Sequence, residues 1–521
     1  MSRHITSRLA LILVLFLLSL FVAAPTRAGW RSLTGLLPDY TDIDSYQISP
    51  DSRYVVFLAD LDVDDRDELY SVPITGSLPS KLNPPLLNEG DVRRFGITPD
   101  GQRVIYTADQ EVDNRVELYS VPIGGGAAIK LNGALVSGGN VDTFKIDPDS
   151  VRVVYVADGQ TNEVFELFSV PIGGGTSTKL NPTPVSSGDV NSSYYQIDAI
   201  GNRVVYAADL QTDELLELYG VAIGGGASIK LNPAVSSDVY IFDLNPSLPV
   251  VVFEARQTGS NSVEVFSNAT SGGLLNTLNF PLASNQDVFG WRVSPDGARV
   301  VYNVVTQAPM TTTQPTKGRL YSVLIGGSTA VTLTEATGPN FGVYGANFSF
   351  TPNSQRVVYL FQQDAAATIR LQSVTLAGAN RVNLYVPPAG EQVYLRSISP
   401  DSQWVLYEST ISPRRFNTIP PTGGTATPLQ DGYNPQITPD SSRVIYIDKL
   451  NGYAHDLQSL QIFGGGQRNL SHLGNAESVG VFQVSPDGQW IVFEVYRNGR
   501  YELRVSDGTE GFYTYLPVVL K

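Results

Sequence analysis

The chain contains no cysteine in 521 residues, which excludes disulfide stapling, thiol catalysis and lipid attachment through a terminal Cys. Histidine is almost as scarce. His4 lies in the amino-terminal segment and only His455 and His472 follow it, neither in a His-Glu-x-x-His frame; a three-histidine zinc site is excluded once that segment is removed. No Gly-x-Ser-x-Gly nucleophile elbow occurs. The glycine-rich "IGGGA" segments lead into strands and lack the P-loop Lys, so they are turns and not phosphate cradles. Positive charge is short as well. The net charge of −15 disfavours nucleic acid and anionic lipid as partners and favours cations or basic ones.

Long apolar runs are absent except at the start. Arg3 and Arg8 precede an apolar stretch from Leu9 to Ala24, and Thr26-Arg27-Ala28 offers small residues for cleavage, so residues 1–28 are expected to be a secretory signal. The stretch is shorter than the roughly 20 residues of a bilayer span, which sets aside a retained anchor. Cleavage would remove three Arg and no acid, taking the net charge from −15 to −18. The mature chain is expected to be exported (periplasmic, cell-surface or extracellular), with no transmembrane segment.

What is present is repetition. "VELYSVPIGGGAAIKLNG" from Val116 has close copies starting near Asp67, Phe165 and Leu216. "ITPDGQRVIYTAD" from Ile97 recurs from Ile48, Ile146, Val293, Ile398, Ile437 and Val484, with weaker copies between, making ten units. Between the turn prolines Pro50, Pro99 and Pro148 the period is 49 residues, and later spacings stay between 39 and 57. A period in the forties suits a four-stranded propeller blade. Pro-Asp-Gly or Pro-Asp-Ser sets a tight turn, "RVVY" is apolar on successive positions like a strand covered on both faces, and "GGG" permits the positive φ of a second turn. One such sheet cannot bury both its faces alone; repetition around a ring covers them all.

The expected fold is therefore all-β: a β-propeller of about ten four-stranded blades over residues 29–516, with 517–521 as a short tail. A single large ring is favoured over two tandem rings because no linker interrupts the period. "SLTGLLPDYTDIDSYQISPDS" from Ser32 aligns with "KLNGALVSGGNVDTFKIDPDS" from Lys130, so Arg31–Thr34 should be an outer strand that closes the last blade.

These motifs, "SPDG-x-x-V-x-Y" followed by "ELYSVPIGG", resemble the TolB-type propeller repeat, which also occurs in the propellers of prolyl-oligopeptidase-like enzymes. The resemblance runs from Leu33 to about Leu516. It implies an exported, non-enzymatic, monomeric scaffold that binds a protein or glycan partner at the cell envelope. Because the repeats fill the sequence from Leu33 to about Leu516, neither TolB's separate α/β domain nor a hydrolase domain is expected beside them.

Candidate site residues lie where each innermost strand begins. Eight residues before the turn prolines stand Asp42, Asp91, Asn140, Asp238, Asp287 and Asp431, with Asp189 slightly further back in unit four. In a ring they would form an acidic collar at one mouth of the channel. Asp60, Asp109, Asp158 and Asp209, each followed eight residues on by Glu68, Glu117, Glu166 or Glu217, should add to that charge. Two readings are open: a surface for cations or a basic partner, or Asx-turn scaffolding copied with the unit. No cofactor is required. Ca²⁺ is the ion that carboxylates would suit, although "DLDVDDRDE" from Asp60 lacks the Gly and Glu of an EF-hand. A channel-mouth enzyme of metal-dependent lactonase or lyase type using the Asp collar, and a structural envelope protein, are the alternatives. Trp291, Trp404 and Trp490 are expected to pack in the core, and Val304–Gly318 forms a long Thr-rich hairpin insertion.

Overall fold

The computed structural model describes residues 26–28, 30–38, 41–87, 90–273, 275–306, 317–327, 329–335, 342–362, 368–410, 415–450, 453–474, 476–508 and 512–514. Most of the expected leader, the middle of the Thr-rich insertion and the last seven residues lie outside these. All regular structure among them is β-strand, and no helix there is long and apolar enough to cross a membrane.

Among the described residues the strands form ten antiparallel units of four, nine in consecutive order and the tenth completed by a strand from the beginning of the chain. Unit one comprises Ile43–Ile48, Tyr54–Ala59, Glu68–Pro73 and Ser80–Lys81. Units six and seven are joined along an edge, where Lys317 and Gly318 pair with Tyr344 and Val343. The second strands are buried at successive positions (Val55 to Ala59 in unit one), as sheets covered on both faces require. The outer strands are shorter than an even division of the repeat predicts. Most span two residues, because the side chain that follows the "KL" pair ends the ladder by bonding back across it.

Ten apolar clusters hold the units together, each between one unit and the next. Val56, Leu58 and Leu69 of unit one meet Leu86, Val104 and Tyr106 of unit two. The last cluster joins Val492, Leu503 and Val505 of unit ten to Leu33, Ile43 and Phe57. The sequence of seams thus returns to its start. Arg31 and Ser32 pair with Val505 and Arg504 as the fourth strand of unit ten, so the beginning of the described body completes its final sheet. Trp30 lies against the same region, with the Arg504 guanidinium 3.6 Å from its ring centroid. Thr26–Ala28, at the end of the expected leader, pairs with Phe512–Thr514.

The turn end is stitched around the circuit. Gly101, Gly297 and Gly488 occupy the left-handed slot of their turns at φ near 70° (70°, 71° and 71°), and Ser52, Ser150, Ser402 and Ser441 occupy the same slot at 59–65°. Serine tolerates this strain because its hydroxyl accepts a backbone N–H from the preceding unit's turn: Asp100 to Ser150 at 3.0 Å, Asp401 to Ser441 at 3.0 Å and Asp487 to Ser52 at 3.2 Å. The last of these again links unit ten to unit one.

Candidate functional site: the acidic mouth

First strands touch where units three and four, four and five, six and seven, and eight and nine meet, and side chains bridge those of units two and three, nine and ten, and ten and one, which places these strands innermost, around the central axis. The collar residues stand at or shortly before the start of these strands, Asp238 four residues ahead of Phe242–Leu244, and the hydrogen bonds show what most of them hold. Asp91 Oδ1 accepts the backbone N–H of Asp67 at 3.2 Å; Asn140, Asp189, Asp238 and Asp287 accept from Val116, Phe165, Leu216 and Val263 at 2.8, 2.5, 2.9 and 2.8 Å. Each donor belongs to the preceding unit, just before its third strand. These side chains therefore tie neighbouring units together, a role that needs an acceptor and not a charge, which is why Asn140 serves among aspartates. Asp431 instead takes Lys449 Nζ at 2.8 Å. Asp42 is exposed, and its own N–H donates to Asp60 Oδ1 at 2.9 Å.

The hairpin aspartates make a second tie. Asp60, Asp109 and Asp158 accept the N–H of the collar residue of their own unit at 2.9, 2.6 and 2.6 Å, and Asp209 does the same for Asp189. The glutamates do not add to an acidic face. Glu68, Glu117, Glu166 and Glu217 are buried and paired with Lys81, Lys130, Lys179 and Lys230 of the outer strands. The exposed carboxylates of this end come from the collar and from hairpin residues such as Asp64, Asp113 and Glu163. Carboxylates crowd one another in unit one: burial first, then a hydrogen bond and repulsion from Asp44, push the Asp67 carboxyl up to about 7, and burial followed by Asp60 and Asp44 raises Asp42. Burial likewise raises Asp91 and Asp189.

Two structural devices escaped the sequence. Asn83, Asn132, Asn181 and Asn232 are buried, and each accepts the N–H of the residue fourteen positions earlier at 2.7–2.8 Å. Their recurrence after each "KL" was visible; their partner required the sheet. Deeper in the channel, Lys145, Gln196 and Gln483 donate to carbonyls of the next unit (Tyr195, Phe242 and Tyr46) at 2.6, 3.1 and 2.8 Å. Gly96 takes this position in unit two, and a cavity of about 450 Å³ opens there.

One exposed column does not repeat. Six residues before the turn proline stand Asp44, Arg93 and Asp142 in units one to three, but Tyr240, Phe289, Tyr394 and Tyr433 in units five, six, eight and nine. Tyr240, Phe289 and Tyr394 are 40, 53 and 41 % exposed. Arg93 meets Asp109 at 3.2 Å and borders a cavity of about 430 Å³ with Arg94, Asn140 and Glu163. Beside Tyr240 a smaller cavity of about 280 Å³ is lined by Asp238, Ile241, Glu254 and Arg256. Trp291 packs in the core, and its indole N–H donates to Glu254 at 3.1 Å; Trp404 and Trp490 border apolar seams. Among the described residues no group of three or more His, Asp or Glu side chains is placed to hold a metal ion.

No family model matches the chain, and no curated protein does. Solved structures do resemble it. An oligogalacturonate lyase in complex with manganese is 13 % identical with a TM-score of 0.35, over 72 % of this chain and 98 % of that one. A putative TolB from Agrobacterium tumefaciens is 19 % identical with a TM-score of 0.28, over 46 % and 80 %. A eukaryotic initiation factor is 11 % identical with a TM-score of 0.45, over 76 % and 90 %.

Proposed function

We propose that the protein is an exported, non-enzymatic scaffold whose mouth binds a protein or glycan partner at the cell envelope. The observation that supports this is the contrast within the mouth itself. Side chains that recur from unit to unit are mostly occupied by backbone amides, whereas the exposed column of Asp44, Arg93, Asp142, Tyr240, Phe289 and Tyr394 varies in type and makes no one contact in common: Arg93 meets Asp109, Tyr240 meets Tyr194, and Phe289 is more than half exposed. A repeated frame carrying a non-repeated exposed ring is what a recognition surface requires. The collar contributes the acidic field around that ring, and the varied column contributes the contacts.

The test is capture of envelope proteins and immobilised glycans by the purified chain. Asp142→Ala and Tyr394→Ala should weaken capture, while Asn140→Asp should leave it intact. Equal capture by all three variants would remove the mouth from the reading. For the channel-mouth enzyme, the discriminating measurement is thermal melting with and without chelator: the scaffold reading expects the same Tm in both, and a fall on chelation would favour a metal-dependent site.

A further inference from the structure

We infer that the mouth from unit four to unit six is a saccharide-binding surface, with the 280 Å³ pocket beside Tyr240 receiving one sugar ring of a neutral oligosaccharide. This rests on the scaffold reading and narrows it to one ligand class.

A pyranose ring offers a flat C–H face and a belt of hydroxyls that both donate and accept. Its binding site therefore needs an aromatic platform beside a mixture of acceptors and donors. The platform is present: Tyr194 and Phe289 on the first strands of units four and six, and Tyr240 two residues before the first strand of unit five, are 36, 53 and 40 % exposed. The Tyr194 and Tyr240 rings lie 5.1 Å apart at 30°, joining units four and five. The mixture is present too. Asp238 and Glu254 supply acceptors, Arg256 supplies a donor, and Tyr240 and Ile241 supply apolar wall in the same pocket.

Charge narrows the occupant. Arg256 in the lining opposes a cationic guest, while two carboxyl groups and a net charge of −15 oppose an anionic one. An uncharged polyhydroxylated ring meets neither penalty. Glu254 forms no ion pair among the described residues and is held by the neutral indole of Trp291. Burial pushes its carboxyl up to about 7, so near neutrality it can donate to a hydroxyl as well as accept from one. The pocket is also smaller than the roughly 300–1,000 Å³ that enclose drug-sized ligands. It suits a single ring, with the exposed rings of units four and six carrying its neighbours.

The experiment is a titration of the full chain with neutral hexasaccharides of glucose, mannose, xylose and N-acetylglucosamine, read by indole fluorescence against a Trp291→Phe variant and by calorimetry. Hexagalacturonate and an N-acetyl-arginine amide serve as anionic and cationic arms. At least one neutral oligosaccharide should bind and change the Trp291-dependent emission. Tyr240→Ala should weaken that binding about threefold to tenfold, and Arg94→Ala, in unit two and outside the pocket lining, should leave it unchanged, with melting curves confirming that each variant folds. The proposal is overturned if no neutral oligosaccharide binds, if Tyr240→Ala and Phe289→Ala are both without effect, or if either charged probe binds best. A chain that ignores every sugar yet captures an envelope protein through Asp142 or Tyr394 would retain the scaffold reading and lose this one.

Discussion

Units one to four and several of the later units satisfy the same backbone demands with different side chains, while unit five keeps the buried Asn of the early units as Asn279. In the early units an Asp in the hairpin accepts the amide at the start of the first strand; in unit eight Thr410 Oγ1 accepts the corresponding N–H of Gln392 at 2.9 Å. Early units use a buried Asn to accept the third-strand amide at 2.7–2.8 Å. Thr334 does this in unit six at 3.3 Å, and Ser471 in unit nine at 2.8 Å. The fold therefore insists on an acceptor at a place and not on a residue type. A buried amide left unpaired is costly, and any short polar side chain that reaches it removes most of that cost.

The largest expected effect lies where the two regions meet. Leu33 is 1 % exposed in the seam between units ten and one, and Leu33→Ala should cost about 2–5 kcal/mol in denaturant unfolding. Leu82→Ala, between units one and two, should cost a similar amount. Only the former should raise hydrogen exchange in both unit one and unit ten, since it loosens the clasp strand; identical exchange maps would deny the clasp any special part in closure. The next effect compares the acceptors directly. Asn181→Ala should lose about 1–3 kcal/mol by orphaning the Leu167 amide, and Thr334→Ala less, because its bond is longer. Equal losses would mean that the later units depend on these bonds as strongly as the early ones. Smaller still is the collar. Asp91→Asn should stay within about 0.5 kcal/mol of the parent while Asp91→Ala loses about 1 kcal/mol, because Asn140 already performs this role as an amide.

The remaining prediction concerns pH. The folded-state pKa of Asp67 is raised to about 7 by burial and by Asp44, above its unfolded value near 4. The folded chain thus binds more protons than the unfolded one between those values. This contribution is fully present below pH 4 or so and is lost as pH rises through about 7. Asp67→Asn should flatten the fall of Tm between pH 5 and 8; an unchanged slope would show that unit one's carboxylates are better solvated than their packing implies.

Much of the fold was legible in the residues. The 49-residue period, the apolar "RVVY" strands and the Pro-Asp-Gly turns pointed to stacked four-stranded sheets, and the sheets, strand order and all-β content follow that pattern. Of the candidate residues, their place beside the first strands was legible and the groups their side chains bond to were not. The recurrence of Asp42, Asp91, Asn140 and Asp189 marked one mouth, yet a carboxylate that faces a ligand and one that holds a neighbour's amide look the same in sequence. Glu117 and Lys130 stand thirteen residues apart, and only the pairing of the short outer strand brings them together.

By itself the sequence determined the unit, its period and its two kinds of turn, because these depend on local φ preferences and on which positions must avoid water. Partnership was decided only by the tertiary structure. Which amide each aspartate meets, which glutamate finds a lysine, and which aromatic rings remain exposed at the mouth all depend on how one sheet lies against the next. Neighbouring units lie tens of residues apart along the chain, so nothing local in the sequence could encode those distances.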